Sequence, residues 1–574
     1  MKGSAESCIV TWVVSSQTRI FSSAQPTKDL SRLTALRNEP ISFCMAYRSN
    51  YQKRDDEKIP DLPISVSVEC SGIDAALYKI GYVPFLASDC EDGNDEPGLC
   101  PDVLLRKQSK PKINPGDDHL PFYEVGEQHL LNVSCIETGG VWITLNEDRK
   151  EIPAGDHKIT VRVTSLTTNE PIAKHTLTLH VVDESLPDAG LFYTNWFHYD
   201  CIADLHGLEL YSDAYFEVLA KYIKNAVKNG MTTLLTPAFT PALDTPTGFE
   251  RRNVQLVGVK RENGCYTFDF SLLERFVKLA LDCGITNIEH CHLFSQWGAL
   301  SAINIYAEEN GQTTRIFSWD DSATGAEYAA FLQAYLPAFL DFAERMGISD
   351  HLLFHISDEP KDFQANDYSH ALSVVKEYLA GHTVGDALSH YALYEKGLVE
   401  TPVVATDYAN DFYGNCDNMM LYYTGGRPNA LLSNRTLTSS PQKTRILGVQ
   451  LYKYRAKGFL HWGYNYYYGR MCHGVFNPMQ DPLGYRNMPA VSYLVYPTFD
   501  RDVAPSIREM QMRDAMSDYS ALKLLERLIG REETERFCED FFGEAVSVFL
   551  LPKSGAEMCA FRDALNAEIE RHLK

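Results

Sequence analysis

Residues 351–360 read HLLFHISDEP. An apolar and aromatic run ends on two adjacent carboxylates, Asp358 and Glu359, and then on Pro360. A short apolar run closed by a breaker predicts a strand buried on both faces, as in a parallel sheet covered by helices. Acids at the C-terminal tip of such a strand stand where the active sites of parallel barrels form.

The same design repeats on either side of this stretch. LFYTNWF (191–197), MTTLLTP (231–237), TNIEHCHLF (286–294), SHYALY (389–394), PVVAT (402–406), NMMLYYTGG (418–426) and GFLHWGYN (458–465) read as further strands. Helical patterns lie between them. SDAYFEVLAKYIKNAVKNG (212–230) has Ser212 as N-cap and Gly230 past its end. SLLERFVKLALDCG (271–284) carries a capping box, Ser271 with Glu274. GAEYAAFLQAYLPAFLDFAERMG (325–347) is amphipathic, with a kink expected at Pro337. Eight strands with mostly helical crossovers predict an α/β fold, a (β/α)8 TIM barrel over 187–527. A doubly wound sheet is the runner-up, but no GxGxxG follows the first strand.

Upstream the rhythm is different. In KITVRVTSLTTNEPIAKHTLTLHVVD (158–183), Ile159, Val161 and Val163 alternate on one strand and Leu177, Leu179 and Val181 on the next. That pattern predicts a hairpin of half-buried strands. ISVSVEC (64–70) and GVWITLN (140–146) read alike, so residues 1–186 are expected to form a β-sandwich. The Gly-, Pro- and Asp-rich segment Cys90–Pro121 reads as a long loop, and residues 528–574 as a helical C-terminal tail.

Bulk composition excludes several functions. Net charge is −23, and no Lys/Arg run supplies the basic footprint of a nucleic-acid binder. No stretch approaches the ~20 apolar residues of a membrane span. The start, MKGSAESCIVTWVVSSQ, is a poor signal peptide, and the 14 cysteines are scattered without CxxC pairs. The expectation is a cytoplasmic protein with reduced thiols and no cofactor.

The residues just beyond each predicted strand decide the chemistry. The first strand ends in Trp196, His198 and Asp200. The second leads to Asp244, Glu250, Arg251, Arg252 and Gln255. The third ends in Glu289, His290 and His292, then Gln296 and Trp297; the fourth in His355, Asp358 and Glu359. The seventh ends in Tyr422, Tyr423 and Gly425; the eighth in Trp462 and Asn465. Carboxylates for proton transfer, aromatic platforms for sugar rings and amides for hydroxyls are the profile of a carbohydrate pocket.

Adjacency constrains the mechanism. A retaining glycosidase that uses two protein carboxyls needs them about 5–5.5 Å apart across the sugar, and an inverting one about 6.5–9.5 Å. Neighbouring Cα atoms are only ~3.8 Å apart, so Asp358 and Glu359 cannot readily straddle a ring. A 2-acetamido group resolves this, because its carbonyl oxygen replaces the protein nucleophile. Glu359 would then protonate the leaving oxygen and later deprotonate water, with Asp358 raising its pKa. Asp358 would orient the acetamido N–H and stabilise the oxazolinium-like intermediate. Trp462, Tyr423 and Asn465 are candidates for holding the ring. Further candidates are His198, Asp200, Asp244, Arg252, Gln255, Gln296, Trp297 and His355. Neighbours in a regular strand face opposite ways, so a bulge or turn at Ser357–Glu359 is required.

FHISDEP, GFLHWGYN and PSIREMQMRDAMSDYSALKLL, in this order, resemble glycoside hydrolase family 123 and its uncharacterised relatives over roughly residues 120–525. WFHYDCIADLH, PALDTPTGFERRNVQLVGV and HLFSQWGA look more like the relatives than the founding members. The resemblance implies a β-sandwich followed by a catalytic (β/α)8 barrel. It implies a β-N-acetylgalactosaminidase working by retaining, substrate-assisted hydrolysis, with Glu359 as acid/base and Asp358 assisting the acetamido group. The substrate would be a glycan or glycoconjugate ending in a β-linked N-acetylhexosamine. GalNAc against GlcNAc stays open, and a β-N-acetylglucosaminidase or hexosaminidase is an alternative. Three other readings compete. A two-carboxylate β-glycosidase would take its nucleophile from a Glu after the seventh strand, where the sequence has none. A metal-dependent hydrolase would use His290, His292, His198 and Asp200, the two histidines sharing a strand face. A carbohydrate-binding protein on a decayed barrel would bind without turnover.

Overall fold

The computed structural model describes residues 8–51, 62–85, 98–106, 123–125, 128–133, 137–245, 251–423, 431–485 and 488–573. Glu250, Gly425 and much of Cys90–Pro121 lie outside them.

The chain opens with two sheets. One has five antiparallel strands in the order Ile9–Ser15, Ile41–Ser49, Gly139–Leu145, Ala75–Phe85, Gly98–Leu105. The other has six, in the order Arg32–Leu36, Pro171–Val182, Gly155–Ser165, Pro63–Cys70, Gln128–Asn132, Tyr123–Val125. The expected hairpin sets Ile159 opposite Leu177. Its alternating apolar residues share one core with Phe43, Met45 and Ile143 of the facing sheet. Gly98–Leu105 corrects the expected loop: it is an edge strand paired with Ala75–Phe85. Pro101 falls where the register shifts, and an edge strand tolerates proline at such a place.

Next comes a parallel sheet of eight strands. They are β1 (Phe192–Asn195), β2 (Thr233–Thr236), β3 (Asn287–His290), β4 (Leu352–Phe354), β5 (Thr383–Leu388), β6 (Thr401–Ala405), β7 (Met420–Tyr422) and β8 (Gly458–His461). The hydrogen-bonded order is β1-β8-β7-β6-β5-β4-β3-β2. The remaining edge, β1 against β2, is held by Thr232 N–H to the Tyr193 carbonyl at 3.0 Å. The result is a nearly closed barrel in which β4 stands opposite β8. The fifth strand is a correction: it is TVGDAL, while SHYALY beyond it holds only the short helix Ala392–Glu395. Gly385 and Asp386 interrupt the apolar run and hide the strand. Gly385 is needed there because a Cβ would press on the Thr401 carbonyl of β6.

The helices expected from sequence form, with one difference at the start of the helix Ser271–Asp282. Ser212 caps α2 (Asp213–Lys228; α1 is Tyr199–His206) by accepting the Tyr215 N–H. α3 (Ser271–Asp282) has no Ser271–Glu274 capping box; Asp269 instead accepts the Ser271 N–H and hydroxyl. α4 (Ala326–Met346) runs through Pro337 without ending.

The long helix Ile507–Ile529 is buried along most of its length and unites the molecule. Its Arg508 donates to Asp102 on the strand Gly98–Leu105 and to the carbonyls of Arg435, Ala490 and Tyr493. Tyr496 donates to the same carboxylate at 2.6 Å. Its Asp518 pairs with Arg445 and with Arg562 of the last helix, Gly555–Leu573, and Arg562 also reaches Glu39 at 2.6 Å. The C-terminal segment is thereby tied to the N-terminal sheets. Breaking a buried ion pair by removing one partner costs about 3–5 kcal/mol. Asp102→Ala is therefore expected to lower the thermal unfolding midpoint substantially, read by calorimetry. An unchanged midpoint would contradict this role.

Candidate active site

The strand ends surround a cavity of about 440 Å3 at the C-terminal mouth of the barrel. Both Asp358 and Glu359 line it. They can do so because β4 stops at Phe354 and Glu359 adopts φ +44°, the left-handed region. The turn required by adjacency is present.

The turn is held at each peptide. The buried Asp386 carboxylate of β5 accepts the N–H of Ile356 at 3.0 Å and of Ser357 at 3.1 Å. The Asp358 carbonyl accepts the N–H of Trp297 at 2.6 Å. Ser357 Oγ donates to the Ser295 carbonyl and accepts the N–H groups of Gly298 and Ala299. Asp244, Trp297 and Met471, which also line the cavity, are left-handed as well, at φ +46°, +61° and +58°. Each such residue costs on the order of 1–3 kcal/mol, and strain of this kind concentrates at functional sites.

Charge is arranged with equal care. Burial, then the neighbouring Glu359 and Asp386 carboxylates, push the Asp358 carboxyl up to about 8. The carboxyl pushed up beside its neighbour is that of Asp358. Below the pair, His355 sits between two buried carboxylates, with Nε2 2.6 Å from Glu289 and Nδ1 3.5 Å from Asp386. Burial lowers the His355 pKa, but hydrogen bonds to Asp386 and Glu289 outweigh it and raise it to about 10, so the ring is an imidazolium. Glu289 also accepts the indole N–H of Trp196, the cavity floor, at 2.6 Å. Tyr422 donates to Glu359 Oε1 at 2.6 Å, and Lys361 Nζ lies 3.9 Å from Oε2.

The opposite wall belongs to the loops after β8 and β2. His198 donates from Nε2 to the Trp462 carbonyl at 2.8 Å and accepts from Arg251 at Nδ1. Burial and Arg251 depress its pKa to about 3, which fits this neutral form. Arg251 is held by Asp200 through two hydrogen bonds. Trp462 packs on Tyr485 with ring centroids 4.8 Å apart. Asp244 accepts from Tyr466, Tyr485 and the Met471 N–H.

Of the residues singled out from sequence, Asp358, Glu359, Trp462, His198, Asp244, Gln296 and Trp297 line the cavity. Six others do not. His355 lies beneath it, 1% exposed. Tyr423 faces outward and packs on Phe459, because it follows the inward Tyr422 in the period-2 alternation. Asn465 is fully buried and clamps the His198 backbone from both amide atoms. Asp200 is buried under Arg251, Arg252 pairs with Asp204, and Gln255 bonds Val257 and Tyr306. The two histidines of the metal reading diverge: His290 bonds Tyr335 of α4, while His292 stacks on His355 inside the barrel. Tyr422, Ser389, Asp407, Tyr408, Arg470 and Tyr485 also line the cavity. Strand periodicity can choose Tyr422 over Tyr423; the interrupted run of β5 conceals Ser389 and Asp386.

The sequence profile for the catalytic domain of glycoside hydrolase 123 matches residues 196–525. The chain belongs to glycoside hydrolase family 123. The residues that line the cavity all fall within the matched stretch. A family 123 glycoside hydrolase from Clostridium perfringens, studied for glycolipid glycan hydrolysis, superposes with a TM-score of 0.70 at 12% identity, covering 98% of both chains. Weaker likenesses include a family 39 glycoside hydrolase from Bacteroides cellulosilyticus WH2 (TM-score 0.31, 11% identity, 85% of this chain and 81% of that one). A glycosyl hydrolase family 2 member from Bacteroides cellulosilyticus DSM 14838 gives TM-score 0.28 and 8% identity, over 84% of this chain and 49% of that one. Among curated proteins none matches this chain in sequence.

A carboxyl whose folded pKa is raised stabilises the fold below its unfolded pKa, near 3.8, and loses that contribution as pH rises through about 8. Asp358→Asn is therefore expected to raise the unfolding midpoint relative to wild type at about pH 9 and to do little at about pH 4. Equal midpoints at both pH values would contradict the assignment.

Proposed function

We propose that this family 123 enzyme is a retaining exo-β-N-acetylgalactosaminidase that removes terminal N-acetyl-β-galactosamine by substrate-assisted catalysis. The observation that carries the reading is the shared cavity of two adjacent carboxylates. At the end of β7, where a two-carboxylate enzyme would present its nucleophile, the chain has Tyr422, bonded to Glu359. The glycan of a glycoconjugate, glycolipids included, is the proposed substrate, in line with the Clostridium perfringens relative.

Chemistry runs in two displacements. The acetamido carbonyl oxygen attacks the anomeric carbon from within the sugar. The bond to the leaving oxygen breaks, and Glu359 supplies that oxygen with a proton. Tyr422 occupies Oε1, so the transferable proton rides on Oε2. In the free enzyme burial holds a proton on Asp358. An acetamido N–H donating to Asp358 stabilises its anion and shifts the proton to Glu359. The Asp358 carboxylate then faces the cationic oxazolinium. In the second step Glu359 takes a proton from water, which attacks the anomeric carbon and reopens the acetamide. Two inversions give retention. Trp462, packed at a tilt against Tyr485 in the same cavity, serves as the platform for the sugar face.

Glu359→Gln is expected to cut kcat/KM about 10²–10⁴-fold on glycosides with poor leaving groups, and much less on activated aryl glycosides. Asp358→Asn is expected to cut both about 10²–10³-fold. Steady-state kinetics on paired N-acetyl-β-galactosaminides and glucosaminides reads these effects together with the sugar preference. Turnover within about twofold of wild type in both variants would sink the proposal.

A further inference from the structure

One cation on the cavity wall has no role in this chemistry. Arg470 lies beyond β8, lines the cavity and is exposed. No ion pair or side-chain hydrogen bond engages it among the described residues. The other cations near the site are committed: Arg251 to Asp200, His355 to Glu289 and Asp386, Lys361 to the vicinity of Glu359. The cations foremost in acting on Asp358 are His355 and Lys361, and on Asp244 it is Arg251.

The chain nonetheless fixes where Arg470 stands. The next two residues, Met471 and Cys472, are both left-handed, at φ +58° and +59°. Asp244 Oδ2 accepts the Met471 N–H at 2.9 Å, and the Tyr466 hydroxyl accepts the Cys472 N–H at 3.2 Å. Cys472 Sγ contacts the Asp244 carbonyl at 3.2 Å. The segment is pinned to the wall formed by Trp462, Asp244 and Tyr485. Arg470 lines the same cavity as the acid pair, Asp358 and Glu359. A sugar with its anomeric carbon at Glu359 carries O4 and O6 on the ring edge away from the acids, where the rest of the lining, Arg470 included, is available to them.

We propose that Arg470 forms a subsite for an anionic ester, sulfate or phosphate, at O4 or O6 of the terminal 2-acetamido sugar. This rests on the substrate-assisted reading above and names a substrate class for the same site. The Arg470 guanidinium has no ion-pair partner among the described residues, and a neutral sugar brings it no counter-ion. An ester oxyanion does, and the planar fork of arginine suits two of its oxygens at once.

The test compares wild type, Arg470→Gln and Arg470→Lys on unsubstituted, 4-O-sulfo, 6-O-sulfo and 6-O-phospho aryl N-acetyl-β-galactosaminides. Wild type is expected to prefer at least one ester. The ratio of ester to neutral kcat/KM should fall roughly 10- to 100-fold in Arg470→Gln, the range of a charge-assisted hydrogen bond, and partly recover in Arg470→Lys. About 0.5 M added salt should erode the wild-type preference. Sulfo and phospho arms separate the two sources of the oxyanion. Esters cleaved no better than the neutral glycoside, or a ratio unmoved by Arg470→Gln, would overturn the subsite. If no arm turns over, the substrate-assisted reading has failed. Calorimetric binding of the free sulfated sugars then decides the subsite separately: equal affinity in wild type and Arg470→Gln overturns it, and weaker binding in the variant sustains it.

Discussion

Two neighbours in a strand face opposite ways, and the active site depends on breaking that rule at one residue. The left-handed turn at Glu359 brings its carboxylate onto the same cavity as Asp358. A glutamate does not choose that backbone freely. Asp386 fixes the two peptides before the pair, and Trp297 fixes the carbonyl of Asp358 itself. β5 therefore holds β4's catalytic end, and the loop after β3 holds it from the other side. The barrel supplies rigid parallel strands so that these three ends meet.

The same clasp sets the charge. Three carboxylates, those of Asp358, Glu359 and Asp386, crowd the end of β4, with the His355 imidazolium beneath them. Without that cation the buried anions would repel; with it, the network links the Trp196 floor through Glu289 to the catalytic turn. Asp358 is nonetheless left hard to ionise. In the proposed mechanism, a carboxyl pair sharing a proton can release it where the substrate demands. Stability lost here is offset in the buried polar contacts of the helix Ile507–Ile529, which join both ends of the chain.

Much of this is legible in the sequence, for identifiable reasons. Seven of the eight barrel strands announce themselves as apolar runs, since a strand buried on both faces leaves few choices. The remaining one, TVGDAL, does not, because the Asp that holds the catalytic turn sits inside it and reads as a breaker. The acid pair is legible from position alone. Its supporting cast is not: Tyr423 and Tyr422 differ only in phase, and His355, Asn465 and Asp200 look like ligand contacts until burial shows each serving another residue. Long-range partners such as Arg251 with His198 join loops more than fifty residues apart, which no local pattern encodes.

The nucleophile is the central chemical claim, and a substituent series tests it most directly. Aryl N-acyl-β-galactosaminides carrying acetyl, fluoroacetyl, difluoroacetyl and trifluoroacetyl groups differ mainly in the basicity of the acyl carbonyl oxygen. If that oxygen attacks the anomeric carbon, kcat falls steeply and monotonically along the series. A flat series, with a fluorosugar trapping a covalent ester on a protein carboxylate, would show that the enzyme supplies the nucleophile itself.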